Sequence, residues 1–305
     1  MSLKENVPLN IWQIGWRAIR PKTLPAAASG VVMGSALAWM DHSFYILTAL
    51  AALCVALLLQ IGSNVANDVY DFERGADTSE RFGPVRVTQT GLLTPAQMKR
   101  GMWIAFGLAA PFGLYLAYLR GWPVILLGVA AILAAIAYTG GPLPFGYYGL
   151  GDVFVFLFFG LMCVAGTYYT QTGSVSAAAW WMSIPVGLMV TDILVVNNLR
   201  DLDHDRAAGK HTLAVRIGER WTRIQYVVFM VLAFLLLPVL IWRGVLPAFT
   251  ILSWLSLPLA WLFTRTVLTQ RGPALNAALA GTGQAVLAYS LLFFIGIILS
   301  LVKVR

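Results

Sequence analysis

Nine stretches of about twenty apolar residues follow one another along this chain of 305 residues. They cover residues 22–40, 44–67, 99–119, 122–138, 150–170, 178–199, 224–242, 245–264 and 277–301. A helix needs about 20 apolar residues to cross the hydrocarbon core of a bilayer, so each stretch predicts a transmembrane helix. Charged residues make up 11% of the chain, whereas soluble domains carry roughly 25%. We therefore expect an all-α integral membrane protein, with residues 1–305 forming one membrane domain.

The basic residues lie mainly on one side of the predicted spans. With the N-terminus in the cytoplasm, 17 of the 21 Lys and Arg residues fall on the cytoplasmic side and 4 on the other. Such a bias is typical of cytoplasmic loops. These residues lie between spans and are mixed with acids, which argues against nucleic-acid binding. Residues 1–21, with Trp12 and Trp16 on one helical face, are either a short interfacial helix or a plain N-terminal extension.

Acidic residues gather in two segments, which hold nine of the 13 Asp and Glu residues. One follows the second span and the other follows the sixth, so both face the cytoplasm. In the first segment, Asn64, Asn67, Asp68 and Asp71 fall within about a 100° arc if the helix continues. In the second, Asn197, Asp201 and Asp205 share a helical face at i, i+4 and i+8.

Two columns of like charge on one membrane face repel unless a cation binds between them. Asn and Asp supply only oxygen ligands, and neither the two Cys nor the three His form a cluster in the sequence. This donor set favours Mg²⁺ or Ca²⁺ over zinc. The alternative is that the acids are solvated loop residues that pair with basic neighbours. Basic residues in both segments also suit a phosphorylated substrate, with metal bridging carboxylates and phosphate oxygens.

The two segments also indicate an internal duplication. Asp68 and Asp201 lie 133 residues apart, and each follows the second span of a four-span set. Because both sets begin on the same side, the repeat is parallel rather than inverted. The ninth span stands outside it.

At these segments the chain resembles the UbiA superfamily of intramembrane prenyltransferases. These all-helical proteins, usually of nine spans, join an isoprenoid diphosphate to an aromatic or other acceptor with Mg²⁺. The first family motif is Asn-Asp-x-x-Asp-x-x-x-Asp. Asn67, Asp68 and Asp71 fit it, whereas its last position holds Gly75 and the next acid is Asp77. The second motif, Asp-x-x-x-Asp, matches residues 201–205.

Five blocks are similar to the branch of this family that prenylates 1,4-dihydroxy-2-naphthoate in menaquinone synthesis. The Gly75-x-Asp77 ending looks like that branch's own version of the motif. The last third, residues 224–305, resembles the family only in its apolar spans. The blocks are "IRPKTLPAA" (19–27), "NVANDVYDFERGADT" (64–78), "GPVRVTQTGLLTPAQMKR" (83–100), "YTGGPLPFGYYGLGD" (138–152) and "NNLRDLDHDRAAGKHTLAVRIG" (197–218).

The resemblance implies a metal and diphosphate site made by both segments. Asp68 is expected either to bind metal through water or to orient its neighbours. The basic candidates have an alternative reading as a cytoplasmic topology signal. The implied Mg²⁺ ligands are Asn67, Asp68, Asp71, Asp77, Asp201 and Asp205, and the diphosphate candidates are Arg86, Arg200, Lys210, Asn64 and Asn197.

Three further residues are candidates for the prenyl and acceptor chemistry. Tyr138, at the cytoplasmic end of the fourth span, could stabilise an allyl cation through its ring or be an ordinary interfacial aromatic. The segment "TGGPLPFGYYGLGD" is too rich in Gly and Pro for a regular helix and either lines a cavity or is a loop. Asp152 follows it and could orient an acceptor hydroxyl. Asp192, inside the sixth span, is either functional or packed against a neighbouring helix.

We therefore expect a Mg²⁺-dependent enzyme in the bacterial cytoplasmic membrane. Its substrates would be a polyprenyl diphosphate and 1,4-dihydroxy-2-naphthoate, and its product a demethylmenaquinone. Spans 1, 3, 4 and 5 would supply an apolar groove for the tail. Other acceptors (4-hydroxybenzoate, homogentisate or chlorophyllide) remain open, and so does a membrane transporter.

Overall fold

The computed structural model describes residues 9–76, 82–83 and 86–302. Asp77 lies outside these ranges, and so do three basic residues of the termini. The described chain is helical, with turns between the helices and no strand in these ranges. The helices are α1 Ile11–Ile19, α2 Leu24–Met40, α3 Ile46–Glu73, α4 Pro95–Arg120, α5 Trp122–Ala137, α6 Gly151–Thr172, α7 Ala177–Arg200, α8 Leu202–Ala207, α9 Leu213–Trp242, α10 Ala248–Thr269 and α11 Leu275–Val302.

Within the described ranges, eight helical stretches are long and apolar enough to cross a membrane. The first, Ile11–Met40, joins α1 and α2 across Arg20, whose backbone is left-handed. α5 is apolar but has only 16 residues. The chain is a multi-pass membrane protein, and the predicted count of nine spans is reached only when α5 is counted with the other eight.

The predicted N-terminal helix is present as α1. Asn10 caps it, because its side chain accepts a hydrogen bond from the backbone N–H of Gln13. Ile14 and Ala18 are buried against the bundle, while Trp12 on the opposite face is 83% exposed. α1 therefore has one face packed against the bundle and one exposed aromatic face, and its placement at the membrane interface stays a prediction.

The C-terminal ends of α3 and α7 position the site. α3 continues as one helix to Glu73, as the first column requires. α7 ends at Arg200, but the helical pattern of i to i−4 hydrogen bonds continues beyond it. The Asp201 N–H donates to the Asn197 carbonyl at 3.1 Å, and the Asp205 N–H donates to the Asp201 carbonyl at 2.7 Å. Both helices end on the same side of the bundle, where His204 Nε2 lies 2.8 Å from the carbonyl oxygen of Ala76. This is the arrangement that a parallel repeat predicts.

α6 and α7 touch through their backbones. A Cβ atom at Gly160 would lie 2.4 Å from the Cα of Gly187, so only glycine permits this approach. Gly160 lies in a π-helical turn, Phe156–Met162, within α6. The start of α6, which carries Asp152, also packs against α7, since a Cβ atom at Gly151 would lie 3.2 Å from Leu194 Cδ2.

Candidate active site

A cavity of about 600 Å³ lies inside the bundle, and its walls come mainly from helices α2 to α7. Most of its wall is apolar. Along α3 it extends from Ala52 to Asp71, which is about 28 Å at 1.5 Å per residue. Its charged residues and several of its amides gather near the place where the two motif segments meet. The polar residues at this end include Arg20, Asn64, Asn67, Asp71, Arg86, Tyr138, Asn197 and Lys210.

Asp71 is the point at which both segments meet. Its Oδ2 lies 2.8 Å from Arg86 Nη2 and 3.8 Å from Lys210 Nζ, and its Oδ1 accepts a hydrogen bond from the Tyr147 hydroxyl at 2.8 Å. Arg86 follows α3, whereas Lys210 follows α8. One buried carboxylate therefore holds two cations from opposite halves of the chain beside a cavity wall that all three residues line.

Tyr147 was not among the residues predicted from the sequence. Besides its bond to Asp71, its ring lies 5.1 Å from Lys210 Nζ, and its carbonyl accepts a hydrogen bond from the His211 N–H at 3.0 Å. Tyr147 thus ties the Gly- and Pro-rich segment to the second motif. The sequence showed that this segment was irregular, but its path could not be derived from composition.

Asp68 anchors the loop that carries Arg86. Its Oδ1 accepts hydrogen bonds from the Thr88 N–H at 3.1 Å and the Thr88 hydroxyl at 2.6 Å. Its Oδ2 accepts from the Val87 N–H at 3.1 Å and lies 3.5 Å from Arg20 Nη2. Both oxygens are engaged by protein groups, which corresponds to the expected alternative that Asp68 orients its neighbours.

Arg200 and Asp201 form a buried bidentate ion pair behind the cavity. Arg200 Nε donates to Asp201 Oδ1 at 2.8 Å and Nη2 to Oδ2 at 2.5 Å. The guanidinium also donates to Asn197 Oδ1 and Asn276 Oδ1, each at 2.8 Å. Arg200 is therefore placed to orient Asp201. Asp201 and Asp205 are 1% and 5% exposed, and neither lines the cavity in the described structure.

Asn276, at the start of α11, is a second residue that sequence reasoning missed. It accepts a hydrogen bond from Arg200, and its Nδ2 donates to the carbonyl of Phe82 at 3.2 Å. It therefore links the second motif to the loop after the first. It lies in the last third of the chain, where no motif could point to it.

The predicted asparagines have different surroundings. Asn64 donates to the Ile19 carbonyl at 2.8 Å and to Thr23 Oγ1 at 2.9 Å, so it fixes the junction between α1 and α2. Asn67 lines the cavity, and its Oδ1 accepts from Thr139 Oγ1 at 3.1 Å. Asn197 also lines the cavity.

Aromatic rings continue the wall next to this polar end. Tyr138 meets Phe145 edge to face with centroids 5.4 Å apart, and Phe145 stacks on Phe154 at 3.9 Å. All three rings line the cavity. Asp152 lies just behind them, buried, with Oδ1 accepting from Gln225 Nε2 at 2.9 Å.

The oxygen donors fit a hard divalent cation that also binds its substrate. Over the described ranges no three His, Cys, Asp or Glu side chains form a preformed metal site. Mg²⁺ does not need one, since it commonly takes one or two carboxylates and completes its shell with phosphate and water. Asn67 and Asp71 on the wall offer such donors, and Asp201 and Asp205 lie behind them.

Comparisons with known proteins agree with this geometry. The pattern of the UbiA prenyltransferase family matches residues 27–283. The chain belongs to this family. Among similar UbiA-family relatives, the 1,4-dihydroxy-2-naphthoate octaprenyltransferase of Escherichia coli K12 is 39% identical over 93% of this chain and 94% of its own. The protein of the same name from Haemophilus influenzae is 41% identical over 75% and 76%.

Solved UbiA structures share the fold. The UbiA homolog of Archaeoglobus fulgidus solved with GPP and Mg²⁺ aligns with a TM-score of 0.68 over 93% of this chain and 99% of its own, at 13% identity. The expectation of an all-helical membrane protein of the UbiA type is confirmed.

Proposed function

We propose that this UbiA-family chain transfers a polyprenyl group from an all-trans polyprenyl diphosphate to 1,4-dihydroxy-2-naphthoate. CO₂ and diphosphate leave, and the product is a demethylmenaquinone. The observation that carries the proposal is the cavity, because an apolar passage of about 28 Å along α3 ends at Asp71, Arg86 and Lys210. The names of the E. coli and H. influenzae relatives support the acceptor.

Arg86 and Lys210 would bind the diphosphate. Both cations are nearly buried and are held at the cavity wall by Asp71. Charge-assisted hydrogen bonds from such preorganised donors stabilise the negative charge that grows on the departing oxygens. Arg200 would act indirectly, by orienting Asp201.

We propose Mg²⁺ as the cofactor, with Asn67, Asp71, Asp77, Asp201 and Asp205 as the residues that would hold it. Bound there, it would polarise the diphosphate and neutralise its charge as the carbon–oxygen bond breaks. The all-oxygen donor set at the cavity wall and the Mg²⁺ in the A. fulgidus homolog support this choice. Asp68 would instead hold the Arg86 loop in place.

The prenyl end needs shielding from water once ionisation begins. The rings of Tyr138, Phe145 and Phe154 surround this part of the cavity, and aromatic faces stabilise a nearby cation. The naphthoate ring would then attack C1 of the prenyl cation with its carboxyl-bearing carbon. The tail would lie along the apolar walls of α2 to α6.

We infer a location in the bacterial cytoplasmic membrane, with the N-terminus and both site segments cytoplasmic. The positive-inside bias supports this, because the predicted nine-span topology puts 17 of the 21 Lys and Arg residues on the side of these segments.

A panel of acceptors tests the proposed function. The purified protein in lipid nanodiscs would receive a polyprenyl diphosphate, Mg²⁺ and one acceptor at a time: 1,4-dihydroxy-2-naphthoate, 4-hydroxybenzoate or homogentisate. We expect mass spectrometry to detect a decarboxylated prenyl product from the naphthoate alone. A product only from another acceptor would contradict the assigned substrate but keep the prenyltransferase class.

We expect Asp68→Asn to raise KM for the prenyl diphosphate about tenfold while changing kcat less. The amide replaces one of the two Asp68 oxygens, which accept hydrogen bonds from the 87–88 loop, with an NH₂ group that can only donate. Each bond from a buried backbone N–H that is lost in this way costs about 1–3 kcal/mol. Steady-state kinetics at saturating acceptor would measure this. Thr88→Val removes only the hydroxyl contact and should have a smaller effect of the same kind. A fall in kcat of Asp68→Asn with KM unchanged would contradict the positioning role.

A further inference from the structure

The amide of Gln60 presents an unpaired oxygen at the cavity wall. Gln60 lies on α3, lines the cavity and is 8% exposed, and its Oε1 has no hydrogen-bond partner among the described residues. A buried acceptor without a donor is unfavourable, so it needs a physical explanation. Gln60 also lies outside the two acidic motifs, and the metal and diphosphate chemistry does not use it.

The orientation of this amide follows from its neighbours. Asn64 Nδ2 donates to the Ile19 carbonyl at 2.8 Å, and the Thr23 hydroxyl donates to the Arg20 carbonyl at 2.9 Å. Because a carbonyl can only accept, these two bonds leave Asn64 Oδ1 and Thr23 Oγ1 as acceptors. Both accept from Gln60 Nε2, at 3.1 and 3.2 Å. The two hydrogens of Nε2 are thus used, and Oε1 is the end of the amide that remains for a ligand.

Gln60 stands at the boundary between the polar and the apolar parts of the cavity. On the side of Asp71, the α3 residues of the wall are Ser63, Asn64 and Asn67. On the other side, they are Ala52, Val55, Ala56 and Leu59. Gln60 and Asp71 are 11 residues apart, which is about 16 Å along the helix axis. A ligand that contacts Gln60 therefore lies between the diphosphate end and the apolar passage.

The acceptor has one hydroxyl that needs such a partner. In 1,4-dihydroxy-2-naphthoate the 1-hydroxyl lies beside the carboxylate and donates a hydrogen bond to it within the molecule. The 4-hydroxyl, on the far side of the ring, has no partner of this kind and loses its bonds to water when it enters an apolar cavity. A carbonyl oxygen held in a fixed position compensates that loss and orients the ring.

We propose that Gln60 Oε1 accepts a hydrogen bond from the 4-hydroxyl of the acceptor and so selects aromatic acceptors with a hydroxyl remote from the carboxyl group. This rests on the proposed function. The bond turns the carboxyl-bearing carbon toward Asp71 and the diphosphate, where the prenyl C1 lies. Gln60 is thus an acceptor-binding residue. Asn64 and Thr23 are positioning residues, because they hold its amide.

The binding of two naphthoates tests this contact without any turnover. Equilibrium dialysis of the protein in lipid nanodiscs, against empty nanodiscs and without oxygen, would give the Kd of 1,4-dihydroxy-2-naphthoate and of 1-hydroxy-2-naphthoate, which lacks the 4-hydroxyl. We expect the wild-type protein to bind the first about tenfold more tightly, because the second leaves Gln60 Oε1 unpaired. Gln60→Met keeps the length of the side chain but has no amide oxygen, so its two Kd values should agree within about twofold.

Thr23→Val is the matched control, because it removes one of the two partners of Gln60 Nε2 and keeps Oε1. We expect it to change both Kd values by the same factor, so that the tenfold ratio stays. A wild-type ratio near one, or a tenfold ratio that persists in Gln60→Met, would overturn the proposal. If Gln60→Met does not fold, Gln60→Ala takes its place with the same expectation, since it only enlarges an existing cavity.

Failure of this contact is distinguishable from failure of the proposed function. A wild-type protein that prenylates 1,4-dihydroxy-2-naphthoate but binds both naphthoates equally keeps the reaction and removes the role of Gln60. A wild-type protein that binds and prenylates only 4-hydroxybenzoate contradicts the assigned acceptor. In that case the Kd values of 4-hydroxybenzoate and benzoate give the same ratio, and a value near one overturns the role of Gln60 as well.

Discussion

Asp71→Asn is expected to lower kcat/KM for prenyl transfer by at least about 10³-fold, since it weakens both cation positioning and metal binding. Asp71 contacts Arg86, Lys210 and Tyr147 at once, so a neutral amide removes the charge that gathers the two halves of the site. Product formation at several Mg²⁺ concentrations would measure the loss. Higher Mg²⁺ should restore little of it.

Asp203→Asn is the matched control. Asp203 lies in the second acidic segment, but its side chain is 90% exposed, and among the described residues it forms an ion pair with the exposed Arg206 alone, at 3.5 Å. We expect its kcat/KM to stay within about twofold of wild type, because exposed ion pairs contribute little. Equal losses in both variants would mean that general surface charge, and not the geometry at Asp71, supports activity.

Asp201→Asn is expected to lower the free energy of unfolding by about 3 kcal/mol and to abolish most activity. The substitution leaves Arg200 buried without its carboxylate, and breaking a buried pair from one side costs about 3–5 kcal/mol. Thermal unfolding in detergent, followed alongside activity, measures both effects.

The double variant Arg200→Met/Asp201→Leu separates these two effects. Replacing a buried ion pair with apolar side chains of similar volume is often neutral or stabilising. We expect the double variant to regain most of the stability but none of the activity. Recovery of activity together with stability would show that Asp201 serves only the fold.

The helical fold and the meeting of the two motifs were predictable from the sequence. The fold follows from hydropathy, and the meeting of the motifs follows from the even number of spans that precedes each one. Spans of about twenty residues fix helices, and an even number of spans before each acidic segment places both on one side. α5 is shorter than this length, since it has 16 residues. Residue roles within the site needed the structure.

Four residues of α3 show why the roles within the site needed the structure. They are Asn64, Asn67, Asp68 and Asp71. They share one helix face, and the sequence predicted metal or phosphate binding for all four, with the orientation of its neighbours as the alternative role of Asp68. In the fold, Asn64, Asn67 and Asp71 all border the cavity, but the Asn64 side chain is hydrogen-bonded to the α1–α2 junction, and Asp68 holds the 87–88 loop. Helix geometry predicts the direction of each side chain only to within a few tens of degrees. The groups that bind these side chains come from segments that are distant in the sequence, so the pattern along α3 does not identify them. Tyr147 and Asn276 were missed for the same reason.

A transporter fits the structure less well than an enzyme does. Transporter sites lie near the bilayer midplane, whereas here most charged residues of the cavity gather at the ends of α3 and α7. Coupled uptake into proteoliposomes without any prenyl product would favour transport.

The release of CO₂ tests the central claim most directly. With 1,4-dihydroxy-2-naphthoate labelled with ¹³C in the carboxyl group, a polyprenyl diphosphate and Mg²⁺, labelled CO₂ and diphosphate would be measured together. We expect both in equal amounts, with all the label lost from the prenylated ring, and neither from the Asp71→Asn protein. Diphosphate released without labelled CO₂, or a prenylated product that keeps the label, would contradict the proposed reaction.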